Sequence, residues 1–245
     1  MCIEIKVKQA KSFLDMKYNS KYSNKFCKLK YNHSLDCLNI LKYYNYYNYL
    51  SYGPAVLLHD IGRFYKQQFK NKSFDHARYG YALLKEEFTN KPEILLPIKY
   101  HEEDLKWKEL LLSDKEFLKC SHLNKVRIIK GCKLVRDIDI ISNMKMLSEQ
   151  KNINIKIFKI NKKIIEKLYS EQVGCKDNIY NKYDEISYIL CGLNLISFER
   201  SFKYIRKHKI IDQLKLIQLN MVSCDEKLYK ITEKMYDFIN NKFKV

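Results

Sequence analysis

Apolar residues along the chain recur at three- and four-residue spacing, with little strict alternation, which predicts amphipathic helices rather than strands. Only six Gly and three Pro interrupt the pattern, few for a chain built from turns and short strands. The expected fold class is all-α. Helices are expected at about 29–50, 54–61, 75–88, 92–102, 104–119, 122–148, 157–170, 183–196, 198–218 and 225–243. Pro54 suits a first helical turn, Gly62 a helix end and Asp75 an N-cap. "SEQVGCKDNIYNKYD", Ser170 to Asp184, reads as the clearest long loop, and no Pro- or Ser-rich linker divides the chain. The expectation is one domain over 1–245, with a core at about 26–150 and a C-terminal helical extension at about 151–245.

One stretch departs from the amphipathic rule. "AVLLHDIGRF", Ala55 to Phe64, sets His59 and Asp60 side by side at the end of an apolar run. Three more histidines have comparable settings. His33 shares a helical face with Leu29, Cys37, Ile40 and Tyr44, and His101 with Ile94, Pro97 and Ile98, while His76 opens a helix. In "KVRIIKGCKLVRDIDIISNM" two aspartates compete. Asp139 falls on the apolar stripe Ile128, Cys132, Val135, and Asp137 falls beside Lys130 and Lys133, so Asp139 is the inward choice and Asp137 a surface residue or a partner for Arg136.

Burying a carboxylate among several imidazoles costs several kcal/mol unless a counter-charge pairs with them, and a divalent cation does that directly. Nitrogen and oxygen donors of this kind suit Mn, Fe, Ni, Co or Zn better than Ca, with Mg a further candidate. One buried His is ordinarily a hydrogen-bonded core residue. Five such elements weaken that reading.

Composition adds less. The net charge of +18 invites a polyanion partner, but Lys supplies 40 of the 46 cations, alongside abundant Asn, Ile and Tyr, as A/T-rich codons would dictate. Nucleic acid is therefore the second choice of partner, after a small phosphate compound. Basic runs at 151–167 and 203–209 alternate with apolar residues and read as solvated helix faces. The eight cysteines form no Cys-x-x-Cys pair, and Cys120, His122 and Cys132 lack a fourth ligand for a zinc site. No apolar run is long enough to span a membrane and the N-terminus lacks a signal-peptide core, so a cytoplasmic location is expected and no membrane partner. Oligomeric state is not legible.

The blocks "HSLDCLNIL", "AVLLHDIGRF", "DHARYGYALL", "IKYHEE" and "KLVRDIDII" resemble, in order and spacing, those of the HD-domain superfamily of metal-dependent phosphohydrolases, and among them bacterial HDIGRF proteins of unassigned substrate. "YILCGLNLISFERSFKYIRKHKIIDQL" resembles their C-terminal region. The resemblance implies a helical HD fold with one or two divalent metals per chain. It implies His33, His59, Asp60 and Asp139 as ligands of a first metal, and His76 and His101 as the pair for a second that Asp60 bridges. It also implies hydrolysis of a phosphomonoester or phosphodiester, in a nucleotide or related compound. Asp60 and Arg63 are the catalytic candidates, with Arg63, Lys99 and Arg78 as phosphate contacts. Ile140, Ile141 and Ser142 stand where relatives carry Lys, an aliphatic residue and Asp, and Glu102 stands where they carry Asn. Patterns of dNTP triphosphohydrolases, guanosine tetraphosphate hydrolases and cyclic-di-GMP phosphodiesterases are absent. Two alternatives remain: a mixed-valent di-iron oxygenase on the same ligands, or a basic helical binding protein with a structural metal.

Overall fold

Helical spacing becomes helix through most of the chain. The computed structural model describes residues 2–20, 24–68, 74–102, 106–150, 155–172 and 178–245, and among these are thirteen α-helices and no strand. Two compact units are distinguished, residues 1–138 and 139–245.

The first unit contains α1 (Cys2–Asn19), α2 (Lys25–Tyr44), α3 (Tyr46–Leu58), α4 (His76–Leu84), α5 (Pro92–Lys99), α6 (Trp107–Leu112), α7 (Lys115–Leu118) and the beginning of α8 (His122–Ser148). Each start has a local cause. Asn24 caps α2 by accepting from Phe26 N at 2.8 Å, and Asp75 caps α4 by accepting from Arg78 N at 2.9 Å, so two otherwise orphaned backbone donors are satisfied. The centre of the unit is α3, packed against α1, α2 and α5, with Ala55, Val56, Leu57 and Leu58 all buried. A 3-10 helix, Ile61–Gln68, follows it and packs on α4.

That approach requires glycine. A Cβ on Gly62 would lie 2.1 Å from the carbonyl oxygen of His76, and no other L-residue fits there without moving backbone.

The second unit holds the rest of α8 with α9 (Lys162–Tyr169), α10 (Lys182–Cys191), α11 (Glu199–Lys207), α12 (Ile210–Met221) and α13 (Glu226–Phe243). A buried polar chain joins three of them. Gln218 Nε2 donates to Tyr183 O and Ser187 Oγ, both at 2.9 Å, Tyr236 OH donates to Gln218 Oε1 at 2.6 Å, and Tyr183 OH lies 2.8 Å from Thr232 Oγ1. Each polar atom in it has a partner, which is the condition for tolerating it in an apolar core. Asp184 accepts from Asn161 N and Tyr180 N and so ties down the end of the expected 170–184 loop, of which 173–177 lie outside the described residues.

Several expected boundaries are corrected. The helix at 2–19 was not anticipated, and the expected 29–50 helix divides at Asn45, which caps α3 by accepting from Asn48 N. Pro54 therefore lies well inside α3 rather than in a first turn, and Gly62 lies in the 3-10 segment rather than ending a helix. The expected 104–119 helix breaks at Asp114, which caps α7, and 198–218 breaks at Lys209, whose φ of 50° no helix accommodates. Among the described residues no helix is long and apolar enough to cross a membrane.

Candidate metal centre

Helix ends in the first unit carry most of the site. His33 lies in the middle of α2, His59 caps the C-terminus of α3 with Asp60 next to it, His76 is the first residue of α4, and His101 follows α5 by two residues. All five side chains are buried. Asp60 is their common neighbour. Its Oδ1 is 3.1 Å from His76 Nε2 and 3.6 Å from His101 Nε2, and its Oδ2 is 3.9 Å from both His33 Nε2 and His59 Nε2. The Nε2 atoms of His76 and His101 are 3.2 Å apart.

Two of the imidazoles have their tautomer set by the backbone. Nδ1 of His59 is 2.8 Å from Val56 O, and Nδ1 of His101 is 2.8 Å from Ile98 O. A carbonyl only accepts, so the proton sits on Nδ1, and in the neutral ring Nε2 presents its lone pair. Burial holds His101 below its ordinary pKa, against the pull of Asp60, which favours that neutral form. Lone pairs of imidazole thus face the lone pairs of a carboxylate across 3.6 to 3.9 Å, in a buried pocket. A cation between them turns this repulsion into coordination. Imidazole held at its far nitrogen by a carbonyl is also how metal-ligating histidines are ordinarily oriented. The donor set therefore fits a divalent ion. The ligand atoms of His59, Asp60 and His101 lie within 4.8 Å of one another, as do those of His33, Cys37 and His59.

Asp60 is held as an anion. Burial pushes its carboxyl up, but Lys30 and Arg63 outweigh this and hold it well below the usual carboxylate range. Lys30 Nζ donates to Oδ2 at 2.8 Å and Arg63 Nε to Oδ1 at 2.7 Å. Lys30 was not among the residues expected at the site, although it lies three before His33, one turn away on the same side of α2. Glu102 was noted only as a departure. Its Oε2 lies 2.7 Å from His76 Nδ1 and its Oε1 accepts from Arg63 Nη2 at 3.2 Å. Burial lowers the His76 pKa, but bonds to Asp60 and Glu102 outweigh it and leave the group above its ordinary value. Glu102 thus fixes His76, an expected ligand, and Arg63, an expected phosphate contact, in one ion-pair chain.

The other expected contacts are engaged elsewhere. Lys99 Nζ donates to Asp114 Oδ2 at 2.6 Å and lies over the rings of Tyr81 and Tyr100. Arg78 pairs with Asp75 at the exposed start of α4. Asp139 is the first residue of the second unit, half-buried, and accepts from Asn143 Nδ2 at 2.9 Å. Asp137, expected at the surface, is instead fully buried, as is its neighbour Arg136, whose Nη1 donates to His101 O at 3.3 Å. Leu134, Val135, Arg136, Asp137 and Ile138 are all buried, so α8 is covered on more than one face and a polar position beside Lys130 and Lys133 is not thereby exposed. Leu29, expected on the buried face of His33, is about half exposed. Cys132 lies in an apolar cluster with Leu96, Phe117 and Ile128, against which Cys120 packs, and burial pushes the Cys132 thiol up, so these cysteines are core groups.

Residues 31–144 match the family described as HD domain, a stretch that contains every one of the six expected ligands. That stretch is an HD domain. HD domains are, as a family, metal-dependent hydrolases, and the buried cluster is compatible with a divalent ion. No curated protein and no solved structure matches the chain.

Proposed function

We propose that this HD-domain protein is a divalent-metal-dependent phosphohydrolase acting on a phosphomonoester or phosphodiester of a small compound such as a nucleotide. One observation carries the reading: His59 and His101, their Nδ1 atoms committed to backbone carbonyls, aim their remaining nitrogens at the anionic Asp60. In the proposed site His33, His59 and Asp60 would hold one ion, and His76 and His101 are the candidates for a second.

Bound ions would lower the pKa of water and neutralise charge on phosphoryl oxygens. The chain's own groups supply the rest. Asp60 is held ionised by its neighbours, so it would serve as a charged ligand and as a hydrogen-bond acceptor that orients the attacking water. Arg63 is partly exposed beside Asp60, and its guanidinium would grip a substrate phosphate in two-pronged fashion when the charge of Asp60 is met by a bound ion. Glu102 limits how far Arg63 moves and keeps His76 aimed. Lys99 and Arg78, paired with Asp114 and Asp75, are the weaker candidates for the same task.

The test is metal content of the purified chain, joined to a phosphate-release screen over nucleotides with Mn, Mg, Ni, Co and Zn. Metal-dependent release that disappears in Asp60→Ala is the expected result. Bound iron with oxygen consumption and no phosphate release would overturn the proposal in favour of oxygenase chemistry on the same ligands. Metal that stabilises the fold, with no turnover of any phosphate compound, would point to a structural ion instead.

A further inference from the structure

We infer that the centre also takes a thiolate: Cys37 coordinates together with His33 and His59, which makes this a site for a borderline or soft divalent ion such as Zn²⁺ or Co²⁺ rather than Mg²⁺. The inference rests on the metal-centre reading above and adds to it a ligand and a class of metal.

Cys37 lies four residues after His33 on α2, one turn along the same face. Its Sγ is 3.7 Å from His33 Nε2, and the ligand atoms of Cys37, His33 and His59 all fall within 4.8 Å of one another. With metal–sulfur bonds of about 2.3 Å and metal–nitrogen bonds of about 2.0–2.1 Å, a tetrahedral ion spaces sulfur and nitrogen about 3.6 Å apart. The distance between Cys37 and His33 is therefore already that of a coordination edge. Other buried cysteines are placed differently. Cys27 and Cys191 direct their thiols at backbone carbonyls, and Cys132 lies among apolar side chains. Cys37 faces an imidazole nitrogen, which a metal ligates.

His59 belongs to two triads, one with His33 and Cys37 and one with Asp60 and His101. Its one available nitrogen serves one ion at a time, so the ligand beside it influences which ion is preferred. Thiolate favours Zn²⁺ and other soft or borderline ions, while Mg²⁺ takes oxygen ligands and keeps water. On binding, the Cys37 proton is released to solvent and a metal–sulfur bond replaces the S–H bond, with no change of oxidation state.

Cobalt reads this directly. Co²⁺ is titrated into the metal-free full chain without oxygen or added thiols, and the visible and near-ultraviolet absorption is followed. Visible ligand-field bands report occupancy of the centre, and a near-ultraviolet thiolate-to-cobalt charge-transfer band reports sulfur. The expected result is both sets of bands. The charge-transfer band should be lost in Cys37→Ser and kept in Cys224→Ser, whose cysteine is exposed, and Cys37→Ser should bind Co²⁺ about tenfold or more weakly. X-ray absorption of the zinc form of the unmodified chain gives a reading that needs no variant: one sulfur at about 2.3 Å supports the assignment, and a shell of nitrogen and oxygen alone overturns it. Ligand-field bands without the charge-transfer band would remove Cys37 and leave the metal-centre reading standing. No Co²⁺ binding at all would overturn both.

Discussion

Replacing Gly62 by Ala tests how tightly the site is tied to the packing beneath it. The added Cβ would lie 2.1 Å from His76 O, where ordinary contacts begin at 3.4 Å, and the next atoms it meets, Gly80 N and His76 C at 3.0 Å, are also backbone. No side-chain rotation relieves an overlap of this kind. Either the 3-10 segment or the first turn of α4 must shift by about an ångström, so the cost belongs at the upper end of the roughly 1–3 kcal/mol typical of overpacking. At about 2–4 °C per kcal/mol for a chain of this size, the melting temperature should fall by about 6–12 °C. The displaced residue is His76, whose Nε2 lies 3.1 Å from Asp60 Oδ1, so metal affinity should fall with stability. Differential scanning calorimetry with and without metal, and a metal titration of the folded variant, measure the two effects. Gly80→Ala is the control. Its Cβ meets the Ile61 side chain at 3.2 Å and Gly62 N at 3.3 Å, a few tenths of an ångström short of ordinary contact, and should cost less than half as much. A Gly62→Ala protein with unchanged melting temperature and unchanged metal affinity would refute the idea that this backbone approach positions His76.

Three further outcomes follow from contacts already described. Glu102→Ala should weaken metal binding about 10- to 100-fold and Glu102→Gln by less, because the Gln amide oxygen can still accept from His76 Nδ1; equal losses in calorimetric titrations would show that charge rather than orientation matters. Asp114→Asn should remove part of the acid dependence of stability. Burial raises the Asp114 pKa, but Lys99, Tyr100 and the α7 backbone outweigh this and lower it, so its contribution is present above the unfolded value near 3.8 and disappears as pH falls through the lower folded one. Because Asn still caps α7, melting curves of the two proteins should differ at neutral pH and converge on acidification, and parallel curves would contradict the assignment. Gln218→Leu should destabilise the second unit by about 1–3 kcal/mol for each polar group left without a partner, read as a shifted denaturation midpoint, since Tyr236 OH, Ser187 Oγ and Tyr183 O lose a bond together.

The helical class and the burial of His33, His59, Asp60, His76 and His101 were legible because each depends on local information: apolar spacing, a charged pair inside an apolar run, or a His at a helix start. The expected 122–148 helix is found with the same ends, since neither proline nor a capping residue interrupts it. What could not be read depends on partners distant in sequence. Lys30 and Glu102 gain their roles only when α2 and the end of α5 are brought to Asp60, residues 30 and 42 positions away. Asp137 was misplaced because a helix covered on several faces has no single buried stripe. Glu102 had been visible as an unusual residue, but its bonds to His76 and Arg63, which explain why an acid can stand there, required the fold.

The carbonyls of Val56 and Ile98 belong to the last turns of α3 and α5, so the helices' own ends lie against the imidazoles of His59 and His101 that they orient. The C-terminal end of a helix carries a partial negative charge, equivalent to about half an electron and favouring cations by about 0.3–1 kcal/mol each in ordinary settings. Two such poles lie at one centre, opposed by the single N-terminal pole of α4 at His76, so the backbone itself leaves a net cation-favouring lining. This contribution belongs to the secondary structure and survives every single ligand-to-alanine substitution. Residual affinity in such variants would therefore measure the scaffold, and a helical protein that had lost its ligands would retain a cation preference from which a site could be rebuilt.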